Sequence, residues 1–124
     1  EGRVAVTPMG DQLRVAGTME ICGSNTSVSK ARLSGIIESF CAFYPEFNPS
    51  QFSELEPWVG LRPCSPDGLP YLGRIPSHKN LIVATGHSMM GLSLAPITGK
   101  LVAQLVDSET CSLDISALNP TRFN

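Results

Sequence analysis

The stretch that decides the fold is WVGLRPCSPDGLPYLGRIP at 58–76 with NLIVATGHSMMGLSLAPITGKLVAQLV at 80–106. In the second block an apolar run at Leu81–Ala84 precedes a Gly-His turn, and apolar residues then recur at helical spacing. This predicts a strand covered on both faces, a turn, and a helix that begins near Pro96, because proline is tolerated only in a first helical turn. Glycines at such a turn admit a flat or anionic ligand, but the same unit also occurs as plain packing. The residues leave both interpretations open.

The first block surrounds an arginine with prolines and glycines, which restrict the main chain without forming regular structure. Trp58–Leu61 fits a short strand, and Arg62 follows it directly. A guanidinium in an otherwise apolar segment needs an anionic partner, and a carboxylate matches its geometry best. That partner is either a ligand or an internal acid, Asp67 being the nearest in sequence. Arg74 is expected to point to solvent.

The first half of the chain predicts an antiparallel hairpin followed by a helix. Arg3–Pro8 and Gln12–Ile21 alternate apolar and polar residues on either side of the turn signal P-M-G-D. Apolar residues at helical spacing then predict an amphipathic helix over Val28–Phe43 that ends at Pro45. A connector with one helical turn is expected over Asn48–Pro57.

Composition argues against several classes of protein. The 124 residues are 42% hydrophobic and 16% charged, with a net charge of −2, as in an ordinary globular domain. Because there is no run of Lys or Arg, a nucleic-acid partner has little electrostatic support. Polar residues interrupt 80–106, so no transmembrane segment of roughly 18 apolar residues is predicted. The chain starts at Glu1 without a methionine or a signal segment, and we expect it to be part of a longer chain.

The cysteines show no metal-binding or disulfide spacing. No C-x-x-C pair occurs, and only His78 and His87 stand beside them, so no metal site is expected. Free thiols and a cytoplasmic location are the default expectation, although the sequence does not decide the disulfide status. The four cysteines are Cys22, Cys41, Cys64 and Cys111.

Both blocks resemble the C-terminal signature of the D-amino-acid oxidase superfamily of flavoproteins, which includes glycine oxidase, sarcosine oxidase and bacterial D-amino-acid dehydrogenase. VAVTPMGDQLRVAGTMEI resembles the hairpin of that family's substrate domain, and NPTRF resembles its closing segment. The MMGLSL segment is most similar to the dehydrogenase branch. The resemblance implies an α+β fold, in which 1–57 supply a hairpin and an amphipathic helix of the substrate-binding domain. Residues 58–124 would supply the Arg-bearing loop and a strand-turn-helix element that closes the FAD-binding domain.

The resemblance also implies an activity. An amino acid (a D-amino acid, glycine or a proline-like compound) would lose a hydride from Cα to FAD, and the imino acid would hydrolyse to a keto acid and ammonia. Arg62 matches the arginine that clamps the substrate carboxylate, and no catalytic residue is implied. The turn beside the flavin ring would comprise Gly86, His87, Met90, Gly91 and Leu92.

Two departures from the family pattern bear on function. Where glycine oxidase carries a second arginine this chain has Met89, which suggests an apolar, adaptable wall of the substrate site. No G-x-G-x-x-G fingerprint occurs in residues 1–124, so the N-terminal FAD-binding portion would lie elsewhere. The alternative is a non-catalytic binding domain derived from the family. In either case the fragment alone is expected to be inactive and to self-associate, and the electron acceptor is either oxygen or a quinone at the inner face of a membrane.

Overall fold

The structure, a computed structural model, describes residues 3–123, so the expectation drawn from Glu1 lies outside the described residues. The chain divides into two compact units, Glu1–Leu61 and Arg62–Asn124. Both units combine a two-stranded antiparallel sheet with one α-helix, and the predicted α+β class is confirmed. The assignment of 1–57 and 58–124 to substrate-binding and FAD-binding domains stays a prediction.

The first unit contains the predicted hairpin. Strands β1 (Val4–Met9) and β2 (Gln12–Gly17) pair antiparallel, and Gly10 at φ 67° forms the turn between them. Pairing ends at Gly17 because Thr18, at φ 54°, turns the main chain away. The predicted continuation of the strand to Ile21 is therefore wrong, and that side chain is 100% exposed.

Helix α1 (Lys30–Phe43) packs on this hairpin and carries the core of the first unit. The predicted helix over Val28–Phe43 is confirmed to within two residues. Phe40 is 1% exposed, because three aromatic rings surround it with centroids 4.9–5.8 Å away. These rings belong to Tyr44, Phe47 and Phe52. The last of them ends the predicted helical turn, a 3-10 helix at Pro49–Phe52.

The second unit places a longer helix on a short sheet. Strands β3 (Tyr71–Arg74) and β4 (Ile82–Thr85) pair antiparallel, and helix α2 (Gly91–Val106) contacts both. Leu72 of β3 and Leu101 of α2 are buried at this contact. The strand expected at Leu81–Ala84 is present one residue later, at Ile82–Thr85. It is not covered on both faces among the described residues, since Ile82 and Val83 are half-buried and Ala84 and Thr85 are exposed.

Two other expectations about local structure are wrong. Trp58–Leu61 forms no strand. Helix α2 begins at Gly91 rather than near Pro96, so Pro96 lies inside the helix and cannot donate a hydrogen bond to the Leu92 carbonyl. A 3-10 turn joins α2 to form a helical segment, Ser88–Val106, that is long and apolar enough to cross a membrane by length and composition alone. Only 6% of this segment is buried among the described residues, although α2 contacts both strands of its unit.

Candidate functional site

The turn between β4 and α2 is held tightly from inside its own unit. Gly86 is buried at φ 77°, and a Cβ there would lie 3.2 Å from Cδ2 of Tyr71. Only glycine adopts this positive φ angle without strain and leaves the space beside Tyr71 free. The next residue, His87, hydrogen-bonds through Nε2 to Oγ1 of Thr98 at 3.0 Å. This bond connects the turn to α2, so the structure gives His87 a positioning contact within the protein.

The segment that carries Arg62 runs alongside this turn. Cys64 forms an isolated antiparallel bridge with His87. The N–H of Ser88 donates to the Pro63 carbonyl at 3.0 Å, and Arg62 donates from Nη1 to the Ser88 carbonyl at 3.4 Å. The structure therefore brings Arg62 and the Gly86–Gly91 turn together within the second unit.

Asp67 is not the partner of Arg62. Among residues 3–123, no carboxylate lies within ion-pair distance of the Arg62 guanidinium. Asp67 instead receives two hydrogen bonds of 2.8 Å from Arg122, one on each carboxylate oxygen. The sequence left open an internal pair between Arg62 and Asp67, and the structure excludes it, since the closing segment brings a different arginine to the acid.

The pKa values agree with this pairing. The hydrogen bonds from Arg122 hold the pKa of Asp67 far below its ordinary value, and the Leu69 N–H and the Ser65 hydroxyl reinforce the shift. The same pair raises the pKa of Arg122. Hydrogen bonds from Ser116 lower the pKa of Asp114.

Arg74 also differs from expectation. Although the residue is largely exposed, its guanidinium donates to the main-chain carbonyl of Leu105 and, at 3.4 Å, to the Ser108 hydroxyl. A cation at the C-terminal end of a helix is favoured by the helix dipole. Arg74 therefore caps α2 instead of pointing freely to solvent.

The start of α2 presents an apolar and uncapped surface. No side chain caps the helix at Met90, so the N–H groups of the first turn are not taken up by a side chain. Met89, Met90 and Leu92 are 63%, 52% and 91% exposed. Such an end accepts a planar apolar group that carries partial negative charge along one edge. Gly91 is the first residue of α2 at this end.

These residues fit one end of a flavin and not the whole cofactor. The ring system could lie against the exposed side chains, with its electronegative edge toward the N-terminal end of α2, which no side chain caps. The 124 residues contain no glycine-rich fingerprint for the pyrophosphate. Any FAD would therefore need a further portion of protein for its dinucleotide half.

Neither a metal centre nor a disulfide contributes to the candidate site in the part of the chain that the structure describes. No three His, Cys, Asp or Glu side chains there come together in a way that could hold a metal ion. All four cysteines are free thiols.

A comparison with protein families matches residues 1–105 to the FAD dependent oxidoreductase family. The chain therefore belongs to this family of FAD-dependent oxidoreductases. It is similar to the D-amino acid dehydrogenases of Paramagnetospirillum magneticum, at 33% identity over 123 residues, and of Vibrio atlanticus, at 34% identity over 121 residues. These two alignments cover 99% and 98% of this chain.

Among solved structures, glycine oxidase from Geobacillus kaustophilus matches with a TM-score of 0.69 and 31% identity. That match covers 98% of this chain and 32% of the glycine oxidase chain. The chain likewise spans 28% of the length of each D-amino acid dehydrogenase named above. The family assignment therefore rests on similarity along nearly the whole chain, to a part of much longer relatives.

Sequence reasoning missed Ser88 and Arg122, which hold the site together. Arg122 stands out in the sequence only as part of NPTRF, and no sequence signal links it to Asp67, 55 positions away. Ser88 carries no local signal either, since a positive φ angle is usual only for glycine.

Proposed function

We propose that this chain is the C-terminal portion of a longer FAD-dependent enzyme that oxidatively deaminates amino acids. The substrate would be a D-amino acid, glycine or a proline-like compound. The observation that carries the proposal is the position of Arg62. Its guanidinium has no acidic partner among residues 3–123 and donates a hydrogen bond to the main-chain carbonyl of Ser88, inside the turn that would lie beside the flavin.

In the proposed reaction Arg62 binds the substrate carboxylate through two parallel hydrogen bonds and so fixes the position of Cα. Met89, 63% exposed, forms an apolar wall for the substrate side chain. When bound, FAD supplies the two-electron chemistry by accepting a hydride from Cα. The amine loses a proton to give an imino acid. For a primary amine, water then converts this imino acid to a keto acid and ammonium, whereas a proline-like substrate would give a cyclic imine that keeps its nitrogen.

The residues that would hold the flavin ring are those at the β4–α2 turn. Gly86 keeps this turn close to β3, and α2 begins with N–H groups that no side chain caps. Met90 and Leu92 expose apolar surface there. His87 and Gly91 would hold the ring mainly through their main chain.

Substitution of Arg62 tests the proposal in the enzyme that joins this segment to an FAD-binding portion. Loss of a charge-assisted bidentate contact is expected to raise KM for the amino acid by about tenfold to a hundredfold in Arg62→Ala. Arg62→Lys should be intermediate, since an ammonium keeps the charge without the fork geometry. Arg14→Ala, which removes an exposed arginine of β2, is the matched control. An unchanged KM in both Arg62 variants would show that Arg62 does not bind the substrate carboxylate.

The second candidate is a binding domain derived from the family that has lost catalysis. The apolar surface that Met89, Met90 and Leu92 expose at the start of α2 favours it. Flavin binding separates the two candidates. A preparation of the longer protein that carries no FAD and gains none on incubation would favour the binding domain.

The proposed location is the cytoplasm or the inner face of the membrane, where both oxygen and a quinone can accept electrons. The free cysteines fit a reducing compartment. Reduction of a quinone analogue under anaerobic conditions, compared with hydrogen peroxide release in air, distinguishes a dehydrogenase from an oxidase.

A further inference from the structure

Ser88 adopts a main-chain conformation that its side chain disfavours. Its φ angle is 50°, in the left-handed region where glycine is the usual residue. Such a conformation persists only when the surrounding structure holds it, and strained residues of this kind cluster at ligand sites. The contacts of Ser88 show what holds it.

All three polar groups of Ser88 contact the segment that begins at Arg62. The N–H donates to the Pro63 carbonyl at 3.0 Å, and the carbonyl accepts from Arg62 at 3.4 Å. The side-chain hydroxyl accepts from the Cys64 thiol at 3.4 Å. Three consecutive residues of the Arg-bearing loop therefore bind one strained residue.

The φ angle of Ser88 determines where its carbonyl points. Rotation about the N–Cα bond to a negative φ, with the N–H kept on Pro63, would swing the carbonyl away from the Arg62 guanidinium. Relaxation of the strain and retention of the Arg62 contact are therefore incompatible.

As an internal partner, a main-chain carbonyl suits a ligand-binding arginine better than a carboxylate does. It orients the guanidinium and reduces its rotamer freedom without neutralising its charge. The charge of Arg62 then remains available for an incoming anion. By contrast, the charge of Arg122 is already matched by Asp67.

We propose that Ser88 is a positioning residue whose left-handed conformation holds Arg62 in the orientation that receives the substrate carboxylate. This inference rests on the proposed function of Arg62. Ser88 itself contacts neither substrate nor cofactor in this proposal, and the relevant group is its main-chain carbonyl.

The test compares two substitutions that separate conformation from chemistry. Ser88→Gly adopts φ 50° without strain and keeps the carbonyl, whereas Ser88→Val strongly disfavours this conformation because its side chain is β-branched. Both are made in the flavin-loaded full-length enzyme. The affinities for benzoate and for benzamide are measured by calorimetry, because only benzoate offers a carboxylate to Arg62.

Ser88→Val is expected to weaken benzoate binding by about tenfold to a hundredfold and to change benzamide binding much less, since small misplacements of a binding group have effects of this size. Ser88→Gly should stay within about twofold of the parent for both ligands. Equal weakening of both ligands in Ser88→Val, or unchanged benzoate binding, would overturn the inference. If Ser88→Val does not fold, Ser88→Thr provides the same comparison, because it is also β-branched and keeps the hydroxyl, with a smaller expected loss in the same direction.

Arg62→Ala, measured with the same two ligands, separates this inference from the proposed function. If Arg62→Ala leaves benzoate binding unchanged, the clamp itself is wrong. If Arg62→Ala weakens benzoate binding selectively and Ser88→Val does not, the clamp stands and only the positioning role of Ser88 is wrong.

Discussion

Asp67 and Arg122 are joined by two parallel hydrogen bonds of 2.8 Å, from Nε to Oδ2 and from Nη2 to Oδ1. The same guanidinium lies 4.1 Å from the Tyr71 ring centroid and 4.8 Å from that of Phe123. Its remaining donors reach main-chain carbonyls, among them that of Leu69 at 2.8 Å. This one residue ties the closing segment of the chain to the loop that carries Arg62, and it leaves Arg62 itself unpaired with an acid.

Arg122→Lys is therefore expected to loosen the loop at 62–70. Lysine keeps the charge but loses the fork that meets both carboxylate oxygens and the flat face that lies on Tyr71. Amide hydrogen exchange should become faster in this loop, and the melting temperature should fall. Arg14→Lys, at an exposed position of β2, is the control. Equal protection of the loop amides from hydrogen exchange in both variants would show that Arg122 does not stabilise this loop.

The pairing also predicts acid sensitivity of the second unit. Since Arg122 lowers the pKa of Asp67 in the folded state, the carboxylate contributes stability above the unfolded-state pKa of about 3.9. That contribution is lost as the pH falls below about 4 toward the lower folded-state pKa. Denaturant unfolding between pH 2 and pH 7 measures the effect, and Asp67→Asn should flatten this part of the profile. If the free energy of unfolding of Asp67→Asn depends on pH as that of the parent does, other acidic residues determine the acid sensitivity.

Gly73 predicts a large effect from one added methyl group. Its φ angle is 154°, and a Cβ there would lie 3.0 Å from Cδ of Pro120, a rigid ring that cannot move aside easily. Gly73→Ala should lower the free energy of unfolding by about 1–3 kcal/mol. The control is Gly99→Ala inside α2, where the added Cβ meets nothing within 4 Å and should stabilise the helix by up to about 1 kcal/mol. Urea denaturation measures the free energy of unfolding of both variants. Changes of the same sign in Gly73→Ala and Gly99→Ala would show that the Pro120 contact does not decide the effect.

The regular elements of the fold were largely predictable because one face of each is apolar. Alternation gave β1 and β2, and helical spacing gave α1, since both patterns follow directly from burial of one face. The start of α2 could not be predicted in this way. Pro96 suggested a first turn, but packing of α2 on β3 and β4 keeps a helix that lacks one internal hydrogen bond.

The candidate site was predictable only in part, because its contacts are non-local. A Gly/Pro-rich loop marked Arg62, and glycine spacing marked the turn. The pairing of Asp67 with Arg122 depends on how the closing segment folds back, and the conformation of Ser88 depends on hydrogen bonds made 24–26 positions away. Neither property is encoded in a local pattern.

The Gly86–Ser88 turn predicts two substitutions of opposite sign. Gly86→Ala should destabilise the second unit by about 1–3 kcal/mol, because φ is 77° and the new Cβ would lie 3.2 Å from Tyr71. Ser88→Gly should stabilise it by up to about 1 kcal/mol, because glycine removes the strain at φ 50°. Chemical denaturation of the two variants measures both. Destabilisation by Ser88→Gly would show that the Cys64 contact outweighs the strain.

Exposed apolar side chains predict that the 124-residue chain self-associates. Leu92 is 91% exposed at the start of α2, and the chain spans 28% of the length of its D-amino acid dehydrogenase relative from Paramagnetospirillum magneticum. Contiguous exposed apolar surface of this kind promotes association. A sedimentation dilution series should show concentration-dependent oligomers. Leu92→Glu should weaken association by about tenfold, since it removes roughly 1.4 kcal/mol of apolar contact and places a favourable charge at a helix N-terminus. Ser93→Glu adds the same charge without removing apolar area and should associate more strongly than Leu92→Glu. A parent chain that stays monomeric at every concentration, or equal effects of the two substitutions, would contradict association through this surface.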